Sequence, residues 1–190
     1  MIDKNRVVKA IEELILAIGE DPKRDGLKRT PIRVAELYAE IFSGNSDSLD
    51  NIKAFQEEKC NELIVINNIP LYSVCEHHLL PFFGKMHVAF VAKDNKILGL
   101  GQITRIVNSL AKKLQIQERL TDEVATIVYE KTESHGVLVI AEAEHLCMTM
   151  RGEKTAGTKV KTISAKGNME EDKSKRLEAI YLMTGTKAED

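Results

Sequence analysis

Val137-Leu138-Val139-Ile140, running on through Glu144-His145-Leu146-Cys147-Met148, reads as one long strand, and the fold is built outward from it. In such a strand, residues two apart point to the same face, so His145 and Cys147 are expected to look into one space. Upstream, Leu63-Ile64-Val65-Ile66 is β-branched, Asn67-Asn68 signals a turn or bulge, and Leu71 to Val74 is extended again. Val88 to Ala92 is a second strand of that pair, turned by Asp94-Asn95, and Thr158 to Ala165 partners the long strand. Helical stripes fill the gaps. One runs Val7, Val8, Ile11, Leu14, Ile15, Ile18 to Gly19. Thr30 caps a second, with Pro31 at its first position and Val34, Leu37, Tyr38 and Ile41 behind, ending near Gly44. Residues 45–61 are polar and read as loop with a short helical piece. Ile103 to Leu114 and Leu120 to Val128 form two more helices, and Lys173 to Met183 closes the chain. The order of elements is that of an α+β fold, an antiparallel sheet with helices on one face, in a single domain over residues 1–190.

The bulk composition narrows the function. The chain has 190 residues, 43% hydrophobic and 29% charged, which is enough for one packed core. A formal net charge of −2 provides no global field for nucleic acid or an anionic membrane, so neither is an expected partner. A phosphate-bearing ligand would have to be held by local Arg and Lys. No apolar run has membrane-span length, and the first residues start an amphipathic stretch rather than a secretion signal, so the expected location is cytoplasmic. Three cysteines make an odd number, which disfavours a disulfide framework.

Two of those cysteines stand beside histidines. Cys75-Glu76-His77-His78 places a thiol and two imidazoles in four residues, and His145-Leu146-Cys147 supplies a second pair. Cys75, His77 or His78, His145 and Cys147 are therefore candidate ligands of one zinc ion. Four protein ligands would close the site as a structural centre, whereas three would leave a position for an activated water. Buried cysteine and a satisfied core histidine are the plainer explanation of either pair alone. Two pairs together favour metal.

Further motifs lie along the chain: Thr30-Pro31-Ile32-Arg33-Val34-Ala35, Arg105-Ile106-Val107, Gln115-Ile116-Gln117-Glu118-Arg119-Leu120, and Glu142 through Gly152. With Cys75-Glu76-His77-His78-Leu79, this ordered set resembles GTP cyclohydrolase I. The resemblance implies a tunnelling fold (T-fold), with residues 1–60 as an N-terminal helical region and 62–190 as the core. In that fold subunits close side by side into a shared β-barrel, here within a homodecamer. It implies zinc on Cys75, His78 and Cys147, with His77 and His145 as proton-transfer residues. Glu118, beside Gln117, would meet the guanine edge, and Arg105, Arg151 and Arg33 the triphosphate. The implied reaction opens the imidazole ring of GTP, releases formate and forms 7,8-dihydroneopterin triphosphate, the first step toward folate and other pterins.

Taken singly, these residues have plainer roles. Glu118 suits the first turn of any helix, Arg33 and Arg105 suit solvated helix faces, Arg151 suits an ion pair with Glu153, and His77 suits an outer contact to a metal ligand. The chain also departs from the family. Gly99-Leu100-Gly101-Gln102 stands where the family usually has Gly-Leu-Ser-Lys, and Glu36 stands where many bacterial relatives carry a basic residue. Each lost phosphate contact is worth about 1–3 kcal/mol. Two alternatives follow: a paralogue acting on another guanine nucleotide or stopping at a ring-opened intermediate, and a non-catalytic zinc-stabilised protein that binds purine or pterin.

Overall fold

The structure, a computed structural model, describes residues 2–45, 49–60, 62–152 and 154–185. The chain divides into two compact units, residues 1–47 and 48–190. In the first, α1 (Lys4–Ala17) begins at Asp3, whose carboxylate accepts from the Arg6 N–H at 3.1 Å. A turn leads to α2 (Thr30–Ile41), and Ile15, Pro31 and Ala35 are buried. Thr30 is not the cap expected from the sequence. Arg29 occupies that position in helical conformation, with no side-chain cap bond, so Pro31 sits one place further in. Leu14, Leu16 and Ile32 stay exposed on these helices, as does Ile18 just after α1.

The second unit is built on a sheet. It comprises β1 (Phe55–Gln56), β2 (Leu63–Cys75), β3 (Pro81–Val91), β4 (Lys96–Ile97), α3 (Leu100–Ala111), β5 (Leu114–Gln115) and α4 (Gln117–Thr132). There follow β6 (Gly136–His145), α5 (Leu146–Thr149), β7 (Lys159–Gly167), α6 (Asn168–Glu171) and α7 (Lys173–Thr184). β1 and β4 form a two-stranded ladder, and the main sheet runs β5-β2-β3-β6-β7. Its long neighbours are antiparallel, and the pairing slips between Ile66 and Ile69, where Asn68 takes a φ of 60°. The sequence signal at Asn67-Asn68 was therefore a bulge.

The expected antiparallel sheet with helices on one face needs two corrections. β5 pairs parallel to the end of β2, Val74 with Leu114 and Cys75 with Gln115, so Leu114 is strand rather than the last turn of a helix. Helices also lie on both faces. Val88 and Phe90 point with Val137 and Val139 into the core under α3 and α4, while Ala89, Leu138 and Ile140 pack with Met169, Ala179 and Met183 of α6 and α7. An unbroken apolar run along β6 is what burial on both sides requires.

The strand expected to continue through Met148 ends at His145, and Leu146–Thr149 is one helical turn. Its partners run out at that point. β3 starts at Pro81, so Phe82 opposite His145 is the last pair on one side, and Glu144 opposite Lys159 the last on the other. With no ladder left, Leu, Cys and Met turn into helix. At Gly84 the strands approach closely, and a Cβ there would lie 2.0 Å from the Glu142 carbonyl oxygen. Gly84→Ala is expected to cost about 1–3 kcal/mol, measured as a lower denaturant midpoint with an unchanged slope.

Glu142 bonds Lys159 at 2.8 Å and Lys161 at 2.9 Å across the β6–β7 pair. The two ammonium groups pull its carboxyl pKa down from an ordinary 4.5 to about 2. A lowered folded-state value means that this contribution is present above pH 4.5 and lost as pH falls toward 2. Glu142→Gln should therefore flatten the fall of the unfolding midpoint between pH 5 and pH 3, and an unchanged acid limb would contradict the pairing.

Candidate active site

The ends of β2 and β6 bring the sulfur and imidazole groups together. Cys75, the last residue of β2, is buried; its N–H donates to Leu80 O at 2.9 Å and its carbonyl accepts from Leu79 N–H at 3.0 Å. This closes a turn in which Leu79 has a φ of 54° and Glu76, His77 and His78 are exposed. Candidate donor atoms of Cys75, His145 and Cys147 all lie within 4.8 Å of one another. The helical turn after His145 thus delivers Cys147 to the space expected of a straight strand, by a different path. His77 Nδ1 is 3.7 Å from Cys75 Sγ. His78 is outside the close group, and its Nε2 accepts from Arg151 Nη1 at 2.7 Å.

The donor set suits a divalent cation. Burial, and then the neighbouring Cys75, push the Cys147 thiol pKa up, because two thiolates this close repel. A cation between them would reverse that penalty, and sulfur with imidazole nitrogen is a zinc-type set.

His145 is held by two contacts. Its ring stacks on Phe82 at 4.7 Å with a 6° interplanar angle. Its Nε2 is 2.8 Å from Gln117 Oε1. Gln117, buried at the first position of α4, bonds through Nε2 to Ala141 O at 3.1 Å, Val160 O at 3.0 Å and Thr162 Oγ1 at 3.1 Å. Backbone carbonyls only accept, so this end of the amide must be the NH2 and the oxygen faces His145. Nε2 of His145 therefore carries the proton, and Nδ1 holds the lone pair when the ring is neutral. Burial lowers the His145 pKa, opposed in part by the Glu118 carboxylate, so the neutral ring is favoured near pH 7.

Glu118 is exposed in the first turn of α4, near enough for its charge to act on His145. A cleft of about 260 Å³ opens beside Cys147, lined by Met148, Arg151, Gly152 and Thr155. A family profile of GTP cyclohydrolase I matches residues 7–184. The chain belongs to the GTP cyclohydrolase I family. It is 51% identical to the GTP cyclohydrolase 1 of Caldanaerobacter subterraneus subsp. tengcongensis, over 96% of this chain and 98% of that protein. Identity is 50% to the Thermoanaerobacter pseudethanolicus protein of the same name, covering 98% and 100%, and 48% to that of Clostridioides difficile, covering 96% and 97%. As a GTP cyclohydrolase I family member the chain is a hydrolase, of a metal-dependent class, with a Cys-His-Cys group in place.

Other residues singled out from the GTP cyclohydrolase I pattern lie on α2 and α3. Arg105 is exposed on α3, and Arg33 is exposed on α2 of the N-terminal unit, as is Glu36. Gly101 and Gln102 lie in the first turn of α3, where Gln102 Oε1 is buried without a hydrogen-bond partner. The Arg151–Glu153 pairing considered from sequence lies outside the described residues. Sequence reading missed the Phe82 stack and the pairing of Arg119 with Glu76 and Gln115. Only the adjacency of Gln117-Glu118-Arg119 to the motif hinted at the latter. Among the described residues, no helix is long and apolar enough to cross a membrane.

Proposed function

We propose that the chain hydrolyses the imidazole ring of GTP at a zinc ion held by Cys75, Cys147 and His78, yielding formate and 7,8-dihydroneopterin triphosphate. The convergence of Cys75 and Cys147 beside His145 carries this proposal. When bound there, zinc supplies the Lewis acidity that lets a water act as a nucleophile at neutral pH. Glu118 accepts two hydrogen bonds from guanine N1 and N2, an edge that adenine does not offer. His145, locked by Gln117 with its lone pair at Nδ1, takes up and returns protons at the opening ring, and His77 is the second proton-transfer residue. Arg151 and Arg105 hold the triphosphate, a role the family pattern alone assigns also to Arg33, and Gln117 serves the site by orienting His145.

One observation favours a second ligand set. The structure groups His145, not His78, with the two sulfurs. In that reading Nδ1 of His145 is the third ligand and His78 remains with Arg151. The first set is preferred because Gln117 and Phe82 already fix His145 for proton work, while His78 lies three residues from Cys75 on the same turn.

A cleft of about 260 Å³ is small for a nucleoside triphosphate. β7 and most of β2 offer open strand edges, since β5 covers only Val74 and Cys75. These edges suit closure of T-fold subunits into a barrel; the homodecamer with sites completed between subunits, and work in the cytoplasm, are carried over from the family pattern as part of this proposal. Incubation of zinc-loaded protein with GTP should release formate and, after oxidation, a fluorescent pterin. Nucleotide binding without formate would overturn the proposal. Turnover of GDP or GMP but not GTP would assign Gly101, Gln102 and Glu36 to a changed phosphate preference.

A further inference from the structure

The turn that carries Cys75 and His78 is joined to the start of α4 by a side-chain chain that the proposed chemistry does not use. Glu76, between the first thiol and the histidines, pairs with Arg119 Nη2. Arg119 Nε donates to Gln115 Oε1 at 2.9 Å, and Nη2 also reaches Leu114 O at 3.4 Å. Gln115 is fully buried, and its Nε2 donates to Glu123 Oε2 at 2.7 Å and Leu110 O at 3.1 Å. Glu123 in turn meets Lys113 at 2.9 Å. The backbone repeats the connection, with Glu76 N–H donating to Gln115 O at 3.0 Å beside the Cys75–Gln115 ladder.

We infer that Arg119 is a positioning residue that clasps the metal-binding turn to α4 through Glu76; this rests on the metal reading above. Three features support it. Glu76, His77, His78 and Leu79 are exposed, so beyond the buried Cys75 side-chain packing does little to fix the turn. Among the described residues, Glu76 is the member of the turn with an ion pair to the β5–α4 segment. Arg119 is itself aimed by a buried amide, so its fork has one orientation. The clasp thereby sets Cys75 and His78 against the same helix turn that presents Gln117 and Glu118.

The pair is 41% and 35% exposed, so it adds little to global stability. Its effect should fall on the metal. Outer contacts to metal sites typically govern affinity by about 10–100-fold. The test compares zinc-loaded parent protein, Arg119→Gln, Glu76→Gln and the double variant, following zinc release to a colorimetric chelator and the melting point of metal-free protein. Each single variant should release zinc about 10–100-fold faster, the double no faster than either single, and the metal-free melting points should barely move. Arg119→Lys should recover part of the retention. Release from Arg119→Gln at the parent rate, or a double variant equal to the product of the singles, overturns the clasp. A parent protein that retains no zinc overturns the metal reading itself, and the clasp with it.

Discussion

Cys147→Ala is expected to lose zinc on purification and to lose turnover with it. Cys147 supplies one of two sulfurs, and its helical turn is what closes the group around Cys75. Removing it leaves two ligands. The loss of metal affinity should then exceed the roughly 10–100-fold drop that outer contacts produce, and activity should fall below detection. Because Cys147 is only partly buried and packs at the margin of the core, the metal-free variant should still fold. Zinc content by atomic absorption and formate release with GTP read the two effects separately. Full activity without metal would refute the site.

The second large effect separates the two histidines. His145→Ala is expected to keep zinc while cutting kcat by about 10²–10⁴-fold, the usual contribution of a positioned acid–base group. His78→Ala is expected to shed zinc. The alternative ligand set predicts the reverse pattern of metal retention. A pterin yield unchanged by His145→Ala would remove His145 from the chemistry altogether. Gln117→Leu offers a check on tautomer control: it should lower kcat with KM little changed, because the amide oxygen that fixes Nε2–H is gone while Glu118 remains.

Local chemistry made much of this molecule readable. Asn67-Asn68 announced the bulge because asparagine tolerates a positive φ, and Asp94-Asn95 announced the next turn for the same reason. Apolar stripes located α3 and α4. Other features were set by distant parts of the chain. The end of β6 depends on where β3 and β7 begin, which neither Leu146 nor Met148 encodes. Pro81-Phe82-Phe83-Gly84 lacks alternation, so the first half of β3 was not visible. The parallel β5 is two residues long and owes its existence to its fit beside Cys75. The second layer of helices was legible in principle, since Val137 through Ala141 is apolar without interruption.

The site divides in the same way. Cysteine and histidine spacing pointed to a metal, and the two sulfurs do converge. Which imidazole joins them depends on how an exposed turn sits, and Arg119, which holds that turn, looks in sequence like any solvated helix cation.

X-ray absorption at the zinc edge of loaded, substrate-free protein tests the central claim most directly. The account predicts two sulfurs at about 2.3 Å, one imidazole nitrogen at about 2.0 Å and one water oxygen, the open position that ring opening needs. A shell of four protein ligands, or one without sulfur, would contradict it.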